Sequence, residues 1–190
     1  MTKIRQFLKK VFYDAIALAN NPSSANVFAT INDIKDITVV LNTTPLSHTG
    51  NTAETVKFTE SIPAGTFTTH DKIFKEILAS AIGTAGVKTI KTYINTTADL
   101  TGSPVLISTY FTNNLAYSLL SSFFVDSNSS MKSYKPGNSN SATYWGSSNG
   151  SLGSFAIDWT VQQYLVVTVQ LAVSTDVIQL EAIFLNRSRK

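Results

Sequence analysis

The sequence predicts an all-β protein, a sandwich or barrel of short strands preceded by one amphipathic helix. Thr, Ser and Asn make up 60 of the 190 residues, whereas charged residues make up only 14%. β-Branched and aromatic residues fit a pleated sheet, and Ser, Asn and Gly fit the turns between strands. From about residue 37 onward, short apolar runs alternate with turn residues at the spacing of sandwiches and barrels.

Residues 1–21 are predicted to form the amphipathic helix. Pro22 disfavours helical geometry at Asn21, so the helix is expected to end there and residues 22–36 to form a linker. A sandwich does not need this apolar stripe, so the helix is expected to bundle with copies of itself or to insert into a larger assembly. The apolar residues assigned to this assembly helix recur at three- and four-residue spacing and are Ile4, Phe7, Leu8, Val11, Phe12, Ala15 and Leu18.

Nine segments are predicted as strands of a sandwich domain that covers residues 37–190. One of them is ambiguous, because the apolar residues within 71–82 equally describe one face of a helix, and periodicity alone does not decide between the two. The nine predicted strands are 37–41, 55–60, 73–80, 87–95, 105–110, 116–125, 155–158, 163–171 and 177–185.

The longest irregular segment is predicted over residues 126–153, a polar stretch that carries Tyr134, Tyr144 and Trp145. Aromatic rings among short amide and hydroxyl side chains are typical of surfaces that contact sugars or proteins. Two interpretations stay open. Either these three residues contact a ligand such as a host-surface glycan, or one or two of the rings fold back against the end of the sandwich.

The sequence offers little for catalysis or for metal binding. It contains no cysteine and two histidines. His70 precedes Asp71, but neighbours in a strand point to opposite faces, so we expect these two to be exposed turn residues, and His48 to be a loop residue. No spacing of carboxylates and histidines predicts a metal site or a cofactor. We therefore predict no catalytic residue and a non-enzymatic protein, although the fold could still bring two carboxylates together.

The net charge of +3 does not predict a nucleic-acid partner. Seven of the fifteen basic residues lie in the first ten or last four positions, so the remainder of the chain is mildly acidic. A groove that follows phosphates needs clustered basic residues with aromatics among them. No apolar run reaches the about 18 to 20 residues of a membrane span either, and a soluble protein is expected.

Two blocks of the sequence resemble a jelly-roll module found in structural proteins of tailed bacteriophages. The first block is TGNTAET at 49–55, followed by IPAGTF at 62–67. The second is FAID at 155–158, followed by QQYLVVTVQLA at 162–172 and IQLE at 178–181. In that family the pattern corresponds to a strand after a Gly-Thr-rich turn, an Ile-Pro-Ala turn and a C-terminal hairpin of two long strands.

The resemblance covers about residues 46–185 and implies a jelly-roll-like two-sheet sandwich. It also implies that 71–82 is a strand, because the family places one directly after the Ile-Pro-Ala turn. For function, it implies a head-fibre, capsid-associated, collar or tail-fibre component of a phage virion, assembled in the host cytoplasm. The expected partners are further copies of the chain, as a homotrimer, and other virion proteins. The N-terminal helix is additional to the module.

Overall fold

The fold was analysed in a computed structural model that describes residues 36–112, 116–135 and 151–188. The chain divides into two units, Met1–Lys35 and Asp36–Lys190. The predicted helix and residues 22–35 of the predicted linker fall in the first unit, outside the described residues. Asp36, the last residue of the predicted linker, is instead the first residue of a strand. Within the described part of the second unit there are eleven strands and no helix, so the prediction of an all-β domain is confirmed.

The strands are numbered in chain order, and nine of them correspond to predicted segments. Their bounds are β1 Asp36–Asn42, β2 Leu46–His48, β3 Thr55–Ile62, β4 Lys72–Ile82, β5 Lys88–Asn95, β6 Val105–Thr112, β7 Ala116–Ser127, β8 Ser130–Lys135, β9 Ser151–Ala156, β10 Gln163–Leu171 and β11 Val177–Ser188.

The strands form two antiparallel sheets that face each other as a sandwich. The larger sheet has seven strands, in the order β1-β11-β4-β7-β8-β9, with β2 also paired to β11. The smaller sheet has four strands, in the order β3-β10-β5-β6. The described chain therefore crosses from one sheet to the other several times, and the loops at these crossings lie at the ends of the sandwich.

In strands such as β4, alternate residues bury their side chains between the sheets, as the two-residue period of a strand requires. In the larger sheet, Ile77 of β4 and Ile183 of β11 are completely buried. In the smaller sheet, Ile90 of β5 and Leu165 of β10 are completely buried. They belong to one continuous apolar core to which both sheets contribute. This core fills the space between the sheets with aliphatic and aromatic side chains.

The ambiguous segment 71–82 is a strand, as the family resemblance implied. In β4 the side chains alternate between buried and more exposed positions along the whole element. β4 pairs with β11 on one side and β7 on the other, so it lies inside the larger sheet. These two neighbours supply hydrogen bonds and a buried face that periodicity within the segment could not reveal.

The prediction of one irregular segment over 126–153 is wrong at both of its described ends. β8 lies inside this range, and β9 begins at Ser151, earlier than the strand predicted at 155–158. Met131 and Phe155 are paired across β8 and β9, and both are buried. These two side chains give the hairpin an apolar face, although most of its other residues are polar.

Candidate interaction surface

The outward face of β4 carries large apolar side chains in addition to those of its inward face. Phe74 is 42% exposed, and Leu78 projects from the same face with partial exposure. On the neighbouring strand β7, Leu120 is 52% exposed. Clustered exposed apolar side chains on a folded domain are typical of a surface that contacts another molecule.

The strand register places these apolar residues around one carboxylate. Glu76 is paired with Phe184 of β11 on one side and with Leu120 of β7 on the other. Phe74 and Leu78 lie two residues before and after Glu76, and therefore on its face of the sheet. We call these five residues the β4 face. It combines a broad apolar area with a central negative charge.

Glu76 is held in position by a neighbouring strand. The Ser118 hydroxyl of β7 donates a hydrogen bond of 2.8 Å to Oε1 of Glu76. The carboxylate is partly buried, and its other oxygen has further accepting capacity. A partner with a cationic group next to apolar side chains would complement this arrangement.

A lysine side chain lies inside the sandwich. Lys75 points inward from β4 and is completely buried. Its Nζ donates to Thr92 Oγ1 at 3.0 Å and to the Ser108 hydroxyl, and it lies 4.9 Å from the ring centroid of Tyr110. Burial lowers the pKa of this amine to about 7. Thr92 and Ser108 belong to the smaller sheet, so the amine joins the two sheets through hydrogen bonds.

A buried ion pair closes one end of the sandwich. Lys88 Nζ lies 2.7 Å from Asp176 Oδ2, and both side chains are completely buried. Lys88 also donates to the carbonyls of Thr84 and Gly86, at 2.9 and 3.0 Å. The hydrogen bond from Lys88, followed by the backbone donor of Thr84, lowers the pKa of Asp176. We call this arrangement the Lys88 clasp, since it joins the β4–β5 loop to the β10–β11 loop.

Glycine is required in the Lys88 clasp. Gly83 has a φ of +128°, and an added Cβ would lie 2.3 Å from Oδ1 of Asp176. A side chain at this position would displace the carboxylate that neutralises Lys88. The clasp is a structural feature, because both of its charges are enclosed and already paired.

A second polar cluster lies on the outward face of the smaller sheet. Glu54 accepts hydrogen bonds from Lys91 at 2.5 Å, Tyr93 at 2.8 Å and Thr168 at 2.7 Å. Burial raises the pKa of Glu54, but these hydrogen bonds outweigh it and hold the pKa below its usual value. Burial, with the hydrogen bond to Glu54, raises the pKa of Tyr93. The carboxylate is thus held ionised and joins strands β5 and β10, an arrangement suited to structure.

Most of the residues that were predicted from the sequence to bind a partner or a ligand lie outside the described part of the chain. This applies to the seven residues of the assembly helix and to Tyr144 and Trp145. Tyr134 lies in β8, where its backbone pairs with Leu152 of β9. The structure therefore does not test whether the three aromatic residues come together.

The expectation for His70 is confirmed, whereas those for Asp71 and His48 are wrong. His70 is exposed in a turn, with a φ of +78°, as expected, but Asp71 is only 2% exposed. The Asp71 carboxylate accepts hydrogen bonds from the backbone and hydroxyl of Thr68, so it stabilises the turn before β4. His48 is also buried, within β2, and its Nε2 lies 3.2 Å from the Asn51 carbonyl.

Within residues 36–112, 116–135 and 151–188, no group of three or more histidine, aspartate or glutamate side chains is arranged to hold a metal ion. The same ranges include no helix that is long and apolar enough to cross a membrane. The chain matches no known family model, and no curated protein is significantly similar to it.

Sequence reasoning did not identify the β4 face as a binding surface, although a signal was present. The apolar residues of β4 come in adjacent pairs, such as Ile73 with Phe74 and Ile77 with Leu78. In a strand, each pair supplies one residue to the core and one to the outer surface. Apolar residues on both faces of a strand indicate that both faces are covered.

Proposed function

We propose that the sandwich is a jelly roll and that the protein is a non-enzymatic structural component of a phage virion. The observation that carries this proposal is the strand order. Without β2 and the β8–β9 hairpin, eight strands remain, and in chain order they are β1, β3, β4, β5, β6, β7, β10 and β11. When these eight are renumbered from one to eight, one sheet (β1-β11-β4-β7) has the order first, eighth, third, sixth. The second, seventh, fourth and fifth form the other.

This order is that of the double Greek key of jelly rolls, which occur in viral capsid proteins, lectins and cupins. A cupin-type enzyme requires an open interior lined with metal ligands. In this sandwich the described interior is instead filled mainly by apolar residues such as Ile77, Leu165 and Ile183, which are completely buried. The amine of Lys75 within it is enclosed and hydrogen-bonded to hydroxyl groups of the smaller sheet. A role in assembly fits this filled interior better than a role in catalysis.

The exterior supports the same proposal. The β4 face is apolar and exposed, as expected for a domain that works in contact with other proteins. In the proposed arrangement the sandwich projects as a head-fibre, capsid-associated, collar or tail module. The N-terminal helix anchors it or joins three copies, and symmetry multiplies each helix contact.

The proposal is tested on purified particles of the phage that encodes the chain. We expect the protein to co-purify with intact particles in a density gradient, at a copy number fixed per particle by quantitative mass spectrometry. An antibody against the folded sandwich is expected to label one defined location in electron micrographs. Particles that lack the protein, while it remains in the soluble fraction of the lysate, would overturn the proposed function.

A further inference from the structure

Three outward residues of β4 have a symmetric arrangement of charge. Lys72, Phe74 and Glu76 follow one another at two-residue intervals on the same face of the strand. Phe74 is therefore flanked at equal distances by one positive and one negative side chain. An arrangement of this kind is complementary to itself when the strand direction is reversed.

We propose that the β4 face binds the same face of a second copy of this chain, about a two-fold axis that crosses β4 at Phe74. Such an axis lies in the plane of the interface, perpendicular to the strands. It stacks β4 of one copy on β4 of the other, with the two strands running in opposite directions, so that Phe74 of one copy contacts Phe74 of the other. Lys72 of each copy then meets Glu76 of the other, and the charge pair is formed twice.

The neighbouring strand β7 satisfies the same symmetry with apolar residues. Leu120 is paired with Glu76, and Phe124 is paired with Lys72. The axis that exchanges Lys72 and Glu76 therefore also exchanges the positions of Leu120 and Phe124. Leu120 of each copy meets Phe124 of the other, which places an apolar contact beside each charge pair. On the other side of β4, the same axis brings Phe184 of β11 opposite Ser188 of the second copy.

The available surface is large enough for a stable contact. Strands β1, β11, β4 and β7 lie side by side, and β4 has eleven residues. At the usual strand spacing and rise per residue, these four strands present a projected area of roughly 600 Å². Accessible area exceeds projected area, and a standard stable interface buries about 800 Å² on each partner.

The spacing between packed sheets also suits the charge pairs. Sheets pack face to face about 10 Å apart. Lys72 and Glu76 have long side chains that can reach each other across this gap from opposite sheets. Aligned packing rotates the strands of the two sheets by about 30°, which displaces residues near the axis least. The aromatic and charged contacts of β4 all lie near the axis.

A charge exchange in the full-length chain tests the proposal. Lys72→Glu gives a face with two negative charges, and Glu76→Lys gives a face with two positive charges. Each variant alone should weaken pairing about tenfold or more, because like charges then meet twice. In multi-angle light scattering at micromolar concentration and low salt, each variant should have half the assembly mass of the wild type.

The decisive measurement is an equimolar mixture of the two variants. In a mixed pair every charge contact is again between opposite charges, so the wild-type mass should return. The double variant, which carries both exchanges, should also recover it. The matched control is Glu60→Lys, which makes the same charge change at an exposed position of β3 in the smaller sheet and should leave the mass unchanged.

Two results would overturn the inference. If neither charge variant changes the assembly mass, the β4 face does not bind a second copy, and its partner is a different protein. If both variants lower the mass but the mixture does not restore it, the contact is not two-fold symmetric about Phe74. The assembly mass of each variant should fall to half whether the units that pair through the β4 face are monomers or trimers. The result therefore does not depend on the virion proposal.

Discussion

At the scale of single residues, the most unusual group is the buried amine of Lys75. It is completely enclosed and contacts two hydroxyl groups and an aromatic ring. Desolvation disfavours the charged form of an amine, which is why its pKa falls to about 7 from the ordinary 10.5. Enclosing Lys75 therefore costs the folded protein stability at neutral pH.

Lys75→Met is expected to stabilise the protein. Methionine keeps much of the length of the side chain without the amine, so the desolvation cost disappears. Thr92 and Ser108 then lose a hydrogen-bond partner, which reduces this gain. The net increase in the free energy of unfolding should be about 1 to 4 kcal/mol at pH 7. Chemical denaturation of both proteins measures this gain, and an equal or lower stability of the variant would contradict the interpretation.

The pH dependence of that gain has a defined sign. Between pH 7 and pH 10.5 the unfolded chain holds a proton on Lys75 that the folded chain has released. Wild-type stability should therefore rise relative to that of Lys75→Met as the pH increases through this window. The two proteins should become closer in stability toward pH 10. The comparison with the variant cancels the titration of all other groups.

Only part of this residue-scale picture could be predicted from the sequence. Lys75 lies between Ile73 and Ile77, so its inward direction follows once 71–82 is known to be a strand. Its partners come from β5 and β6, and no local pattern predicts them. Asp71 and His48 were misjudged for a similar reason: turn and strand contacts supplied by Thr68 and by β11 bury them.

At the scale of elements, the Lys88 clasp joins two loops that each connect the larger sheet to the smaller one. Asp176→Asn should destabilise the protein strongly, because it leaves the enclosed charge of Lys88 without a carboxylate. Breaking a buried pair in this way costs about 3 to 5 kcal/mol. Thermal and chemical denaturation measure the loss, and a loss below about 1 kcal/mol would show that the pair is not enclosed in solution.

The matched control is a surface ion pair of the same chain. Lys132 and Asp126 lie 2.8 Å apart, but both side chains are more than a third exposed, at 39% and 38%. Asp126→Asn should therefore cost less than about 1 kcal/mol. Because the two pairs have nearly the same separation, the difference between the two variants isolates the effect of burial.

The elements themselves were predictable to different degrees. β10 was predicted with its observed bounds, since Leu165, Val167, Val169 and Leu171 alternate along it and fill the core. β4 resembled a helix because apolar residues on both faces of a strand reproduce helical spacing. β8 was missed because only a short polar run surrounds Met131, and its pairing with β9 depends on a segment distant in sequence.

At the scale of the whole molecule, the sandwich was predictable and the strand order was not. The alternation of short apolar runs with turns defines a two-layer β fold without specifying which strands pair. β1 lies beside β11 although nearly the entire domain separates them in sequence. The resemblance to phage modules implied a C-terminal hairpin of two long strands, but β10 and β11 lie in different sheets. Pairings over this distance leave no local signal.

The predicted role of the N-terminal helix leads to a test of the whole assembly. In light scattering, a chain that begins at Ser24 should have about one third of the assembly mass of the full-length chain, because the helix is proposed to join three copies. Circular dichroism should show that the shortened chain keeps its β structure. If both assemblies contain the same number of copies, the helix does not contribute to self-association. Its proposed role would then be docking to another virion protein.

The pairing of β1 with β11 has one more consequence. Asp36, where the described domain begins, is the register partner of Ser188, where it ends. The backbone of the domain thus returns to its starting point and is nearly a closed loop. A short linker could join these ends while a cut in a surface turn creates new ones, so the domain is a natural candidate for circular permutation.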